Sequence, residues 1–212
     1  MVALRCTKRL LQRLRIEAAD SVGHPGNALG HSYANVVTIN RALFVLAISE
    51  RSLPSGRQGS DDVELGPMEL VRRIKRAWGW IGIEPSEVVG ENDFGNLMVR
   101  DVGGRYWRLC PEDLSCKVVA ENRAELDTLS TSQAFLHDWY ASTLVNQARD
   151  IVGPLSPGRK YCPKIPGPLG GEYGGSNLGS ISLAELIDIS GDIARQIEAL
   201  PDGSKIHLKV IE

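Results

Sequence analysis

From Pro67 onward, Leu70, Val71, Ile74, Ala77 and Trp78 share one face of a 3.6-residue period, and Arg72, Arg73, Lys75 and Arg76 fall mostly on the others. That pattern predicts an amphipathic helix. Pro67 suits its first turn, where a missing N–H leaves no helical bond unmade. Ile83 to Gly90 reads as a further short helix, with Pro85 near its first turn. The apolar period then shortens to two. Asn96–Asp101 and Arg105–Cys110 read as strands flanking Val102-Gly103-Gly104, a hairpin turn, and Leu114–Ala120 reads as a third strand. Asn122 is placed to cap a helix over Arg123–Leu129. Gln133–Val152 predicts one longer helix, with Phe135, Leu136, Trp139, Leu144, Val145, Ala148 and Ile151 largely on one side and Gly153-Pro154 ending it.

The last third continues as a strand over Tyr161–Ile165, a Gly-rich turn over Pro166–Gly179, a helix over Leu183–Leu200 and a closing strand over Lys205–Val210. Ser182 stands as N-cap of that helix, and Glu185 completes a capping box. Pro201-Asp202-Gly203 supplies the turn before the final strand. The front of the chain is less regular. Val2–Thr7 reads as a strand, Lys8–Arg15 as a two-turn basic helix, Ala18–Gly30 as loop, and Tyr33–Ile39 with Leu43–Ser49 as a hairpin. Residues 53–62 (Leu-Pro-Ser-Gly-Arg-Gln-Gly-Ser-Asp-Asp) carry no period and read as a linker. The expected organisation is therefore a small βαββ segment over 1–53, a linker over 54–66, and an α+β domain over 67–212. Strands cluster in hairpins rather than alternating with helices, so the fold class is α+β: a mixed, mainly antiparallel sheet packed with several helices.

Composition sharpens this picture in two places. The formal net charge of −2 is unevenly distributed. Residues 1–60 hold eight Lys/Arg against three Asp/Glu, whereas residues 61–212 hold sixteen against twenty-three. An acidic body suits a basic partner and disfavours nucleic acid as its ligand. The apolar runs are too short for a membrane span, and the N-terminus has no secretory h-region, so no membrane role and a cytoplasmic location are expected. Cys6, Cys110, Cys116 and Cys162 contain no C-x-x-C and read as reduced, mostly buried thiols with no metal site.

Candidate chemistry is sparse. Gly170, Gly171, Gly174 and Gly175 surround Glu172-Tyr173 and precede a helix, as a phosphate cradle would, but no G-x-G-x-x-G and no terminal Lys-Ser/Thr accompany them. The cluster reads instead as a sharp turn. Glu172 and Tyr173 are then either presented to a partner or packed inward, and the sequence leaves both open. The histidines at 24, 31, 137 and 207 form no i, i+4 pair, no G-x-S-x-G occurs, and His137-Asp138 has no nucleophile beside it. Asp61-Asp62 falls in the linker and reads as solvated. No catalytic, cofactor or metal residue is assigned, and the chain reads as a non-enzyme. Of the bulky anchors Trp78, Trp80, Trp107 and Trp139, Trp80 follows a helix-weakening Gly79 and is the one expected to reach a partner. With Asp93 on the acidic body, the expected partner-binding set is Glu172, Tyr173, Trp80 and Asp93.

Several sequence words add a resemblance. Ala-Trp-Gly-Trp-Ile-Gly (77–82), Phe-Gly-Asn-Leu-Met-Val-Arg-Asp (94–101), Tyr-Trp-Arg-Leu-Cys-Pro-Glu-Asp-Leu (106–114), Leu-Gly-Gly-Glu-Tyr (169–173) and Leu-Pro-Asp-Gly-Ser-Lys-Ile (200–206) occur in order. In these words, residues 67–206 resemble the C-terminal region of type VI secretion immunity proteins, the family that includes antidotes to DNase toxins. The hairpin is also similar to elements of the SUKH-type immunity superfamily. The resemblance implies a small cytosolic protein that binds and blocks a cognate toxin; the acidic body makes a basic toxin the expected partner, and steric exclusion is the expected mechanism. Residues 1–53, through Leu-Arg-Cys-Thr-Lys-Arg-Leu-Leu, Ser-Tyr-Ala-Asn and Ser-Glu-Arg-Ser-Leu, more faintly resemble an uncharacterised bacterial domain. The competing readings are a small enzyme with an unrecognised site, and a nucleic-acid-binding module using the basic N-terminal segment. Oligomeric state is not written in the sequence.

Overall fold

In the computed structural model, residues 65–201 and 203–204 are described in full, and residues 14–18 and 206–210 as backbone. The strand expected over 2–7, the hairpin over 33–49 and the linker over 53–62 lie outside the described residues. The elements, in chain order, are β1 (Leu14–Ala18), α1 (Pro67–Trp78), β2 (Pro85–Glu91), β3 (Leu97–Asp101), β4 (Tyr106–Cys110), β5 (Ser115–Ala120), α2 (Arg123–Leu129), α3 (Gln133–Tyr140), α4 (Ser142–Val152), β6 (Arg159–Pro163), β7 (Leu178–Ser182), α5 (Leu183–Ile197) and β8 (Ile206–Val210). The class is α+β.

A four-stranded antiparallel sheet, ordered β2-β3-β4-β5, forms the centre. The pleat sends alternate residues to opposite faces. Leu97 pairs with Leu109 and Val99 with Trp107, and these four side chains face α1 and α5. There they meet Leu70, Ile74 and Trp78 of α1, and Leu183, Ile187, Ile193 and Ala194 of α5. Ile74, Leu97, Leu109 and Ile187 are wholly buried, each a gain of about 1.5–3 kcal/mol from apolar burial. The opposite face carries Met98 and Tyr106, which pack with Ala120, Leu126 of α2 and Trp139 of α3. A separate ribbon of β6 and β7 joins Phe94 and α4 in a smaller cluster of Phe94, Val145, Ala148, Tyr161 and Leu178.

Helix ends follow the side-chain chemistry. Asn122 accepts from the backbone N–H of Glu125 at 3.1 Å, at the head of α2. Ser182 Oγ accepts from Glu185 N at 3.3 Å and donates to Glu185 Oε2 at 2.8 Å, opening α5. The exposed hairpin turn between β3 and β4 puts Gly104 at φ +87°, a conformation that L side chains rarely adopt.

Five expectations are corrected. Leu14 and Arg15 do not end a helix; they begin β1, which pairs antiparallel with β8 from Leu14↔Val210 to Ala18↔Ile206. At these two residues strand pairing prevails over a short helix, which has little intrinsic stability; the rest of that expected helix, residues 8–13, lies outside the described residues. Ala18 accordingly closes a strand instead of opening a loop. The segment Ile83–Gly90 is not helical, because Pro85–Glu91 adds to the sheet as strand β2, with Val88 opposite Val99. Pro85 stands at the first residue of an edge strand, a position that needs no ladder N–H. The single helix expected over Gln133–Val152 is two, α3 and α4, broken at Ala141, which adopts φ 42°. The break lets Trp139 pack on the sheet while Val145 and Ala148 turn to Phe94 and Tyr161. Finally, the Gly-rich region ends early: Leu178 and Gly179 already belong to β7, which sequence reading did not separate from the turn.

Candidate functional site

The Gly-rich turn is built as a braced hoop. Lys164 N donates to Asn177 O at 2.6 Å, and Lys164 Nζ donates to Ser176 O at 2.9 Å. Asn177 fixes the interior: its Oδ1 accepts from Ile165 N at 3.0 Å, and its Nδ2 donates to Ile165 O at 2.9 Å and to Glu172 O at 2.7 Å. Gly171 fits only because it lacks a side chain, since a Cβ there would stand 1.7 Å from the carbonyl oxygen of Ile165. Asn177 is therefore the residue that shapes the turn, and sequence reading did not single it out. A short polar side chain bonding backbone on both sides of a Gly-rich stretch was the available signal.

Glu172 and Tyr173 are both exposed on this hoop. Tyr173 is 54% exposed, yet it is not free. Its ring lies across Gly167, where a Cβ would stand 2.4 Å from the hydroxyl oxygen, and the hydroxyl donates to Asp113 Oδ1. Partial burial and the bond to Asp113 push its ionisation well above the usual tyrosine range. The two readings left open by the sequence thus meet in one residue: presented outward, and tied down at its tip.

Asp113 closes a single turn over Pro111–Asp113 that follows β4, and that turn carries a second polar group inward. Asn96, 1% exposed, donates from Nδ2 to Glu112 Oε1 at 2.6 Å. Its Oδ1 accepts from Arg108 Nε at 3.2 Å, from Arg108 Nη2 at 3.1 Å and from the Cys110 thiol at 2.9 Å. Arg108 Nη1 donates to Asp138 of α3, and its guanidinium lies 5.6 Å from the Trp139 ring and 6.0 Å from the Phe135 ring. Burial, helped by the charge of Asp113, raises the Glu112 carboxyl above the ordinary glutamate range against the bond from Asn96. Burial pushes the thiols of Cys110, Cys116 and Cys162 up to about 12, so all three stay protonated at neutral pH.

The remaining expected residues lie elsewhere. Asp93 is exposed in the loop between β2 and β3; its carbonyl accepts from Tyr161 N at 2.9 Å, and its carboxylate stands 4.0 Å from Arg149. Both partners of that ion pair are about half exposed, so it adds little stability. Trp80 sits half-buried in the turn Gly79–Ile81, stacked on Trp78 at 6.3 Å, with Nε1 donating to Ala77 O at 3.1 Å. The structure thus brings Glu172 and Tyr173 together and leaves Trp80 and Asp93 on other elements. Among the described residues no group of three or more His, Cys, Asp or Glu is arranged to hold a metal ion, and no helix is long and apolar enough to cross a membrane.

Comparison with known proteins adds the following. No curated protein matches this chain. Among solved structures, the crystal structure of Atu4351 from Agrobacterium tumefaciens is similar at 16% identity with a TM-score of 0.43, covering 60% of this chain and 65% of that one. Residues 120–194 match the family model described as T6SS immunity protein Tdi1, C-terminal. That stretch runs from the end of β5 through most of α5 and includes the whole Gly-rich hoop. Over residues 120–194, the resemblance to type VI secretion immunity proteins is borne out.

Proposed function

We propose that this chain is a cytoplasmic, non-enzymatic immunity protein that binds a cognate secreted antibacterial toxin and neutralises it sterically, the implied toxin being a basic DNase effector of a type VI secretion system. The observation that carries the reading is the family match over residues 120–194, which encloses Glu172 and Tyr173 on an exposed, internally braced turn. A turn held by its own backbone and by Asn177 loses little conformational freedom on binding, which favours its use as a contact surface. Tyrosine is a favoured anchor at such surfaces. An interface of about 1,600 Å² over the toxin's substrate groove is enough for tight inhibition. The acidic balance of residues 61–212 speeds encounter with a basic toxin.

The test is co-expression of this chain with any toxin-like reading frame found beside its gene, scored by survival, together with binding of the purified pair. Survival and direct binding are the expected result; death despite soluble expression counts against the reading. Within that assay, Glu172→Ala and Tyr173→Ala are each expected to weaken toxin binding by about 1–2 kcal/mol. Glu172→Ala should leave Tm nearly unchanged, while Tyr173→Ala also loses the bond to Asp113 and lowers Tm slightly. Loss of Tm with full toxin affinity in both variants would place the contact surface elsewhere. The association rate of the wild-type pair should fall as salt is raised, because exposed charges are screened.

A further inference from the structure

We propose that Glu112 and Asp113, flanked by Asp138, form the receptor for one cationic side chain, a guanidinium or an ammonium, presented by the protein partner. The inference rests on the immunity reading above and names a point of recognition within it. Glu112 and Asp138 are joined through Asn96 and Arg108, Asp113 follows Glu112 in the same turn, and among the described residues Arg108 is the cation bonded within the group. Its donors are already engaged: Nη1 goes to Asp138, and Nε and Nη2 go to Asn96. Asn96 stands between Arg108 and Glu112, accepting from the one and donating to the other. The charge of Arg108 acts on Glu112 across Asn96, but neither Glu112 nor Asp113 is bonded directly to a cation among the described residues.

A second observation is independent of this charge count. Glu112 Oε2 is cut off from solvent and has no hydrogen-bond partner among the described residues. A buried carboxyl oxygen without a donor is a cost to the free protein and calls for an explanation. A charge-assisted donor arriving from a partner removes that cost, and such a bond is among the stronger ones available to proteins. The way in is marked by Tyr173. Its hydroxyl rests on Asp113, it is 54% exposed, and it is carried by the Gly-rich hoop. Swinging that hydroxyl off Asp113 would free the carboxylate next to Glu112 in the chain for an arginine or lysine of the partner.

The experiment is a carboxyl-carbon NMR titration of the full chain with N-acetyl-arginine amide, with N-acetyl-lysine amide, and with N-acetyl-glutamine amide as the uncharged control. Saturable shifts at Glu112 and Asp113 with the cationic amides alone, abolished in Glu112→Gln and in Asp113→Asn, support the site. Asp113 is exposed, so Asp113→Asn keeps the test valid if the buried change perturbs folding. Absence of saturable shifts, or equal shifts in the variants, overturns it. A second arm uses the neighbouring toxin. Glu112→Gln should bind it at least about tenfold more weakly than wild type, while its Tm equals or exceeds that of wild type, since a buried carboxyl with an unbonded oxygen has been removed. Wild-type binding with unaltered affinity in both variants overturns this inference and leaves the immunity reading standing. No binding by wild type overturns the immunity reading, and the amide titration then decides the cation site by itself.

Discussion

Gly191→Val is expected to destabilise the protein by about 3–4 kcal/mol, and Gly191→Ala by about half as much. Gly191 lies on the buried face of α5, where that helix crosses α1. A Cβ at this position would stand 2.6 Å from the carbonyl oxygen of Ala77 and 3.0 Å from its Cβ. The obstacle is largely backbone, so no rotamer change relieves it and the helices must separate. Separation is opposed by the core that both helices share, with Ile74 and Ile187 wholly buried, and by Arg73 and Arg76 reaching across to Asp188. Alanine recovers about 1 kcal/mol of helix propensity over glycine, and valine recovers less while adding two methyls. Chemical denaturation of the three proteins checks the order. An alanine variant as stable as wild type would show that the crossing is looser than described.

The same helices show what a sequence discloses. Ser182 with Glu185, Asn122 before Arg123–Leu129, and the apolar face of α1 are all local: a side chain and a backbone group within four positions, or a repeat along one helix. These were legible because their physics is contained in a short window. The failures all depend on distant partners. Pro85–Glu91 contains Val88, Val89 and Gly90 after a proline, a pattern compatible with either a short helix or an edge strand; pairing with β3 decides it. Gly90 also lies under Met98 and Trp139, where a Cβ would be 3.3 Å from Met98 Cβ. Nothing in the alanine side chain announces that Ala141 takes a left-handed conformation; the break exists because Trp139 and Val145 serve different clusters. β7, Leu-Gly-Ser-Ile-Ser, has a weak strand composition and exists through its pairing with β6.

Legibility of the site divides in the same way. The turn that carries Glu172 and Tyr173 could be found because a dense glycine cluster marks a turn by itself. The network of Asn96, Arg108, Glu112 and Asp138 could not, since it joins four segments spread over 42 positions and contains no spaced motif. Asn177 falls between: a turn-forming residue in a plausible place, whose two-sided bonding to Ile165 appears only once the hoop is closed.

Asp101→Ala is expected to cost about 3–4 kcal/mol, and Asp101→Asn about 2 kcal/mol. Asp101 is 2% exposed at the end of β3 and organises the hairpin turn. Its Oδ1 accepts from Arg105 N at 2.9 Å, and its Oδ2 accepts from Arg105 Nε at 2.9 Å and from the indole N–H of Trp107 at 2.8 Å. Truncation to alanine leaves the Trp107 donor, on an 8% exposed residue, without its acceptor. Much of the cost falls there, because the Arg105 side chain is 43% exposed and solvent compensates it. Asparagine keeps the shape and one acceptor but loses the charge-assisted bonds. Burial by itself would raise the Asp101 carboxyl, but the bonds from Trp107 and Arg105 overcome it and hold the group below the ordinary aspartate range. With the folded value below the unfolded one, this contribution is complete above the unfolded value of about 3.9. It is lost as pH falls from there through the folded value. The stability gap between wild type and Asp101→Asn should therefore be widest at neutral pH and shrink only under acid conditions. Denaturation midpoints of both proteins from pH 7 to pH 3 provide the measurement. A gap that stays constant down to the lowest pH would show that the carboxylate charge contributes nothing, and that the aspartate is held for its shape alone.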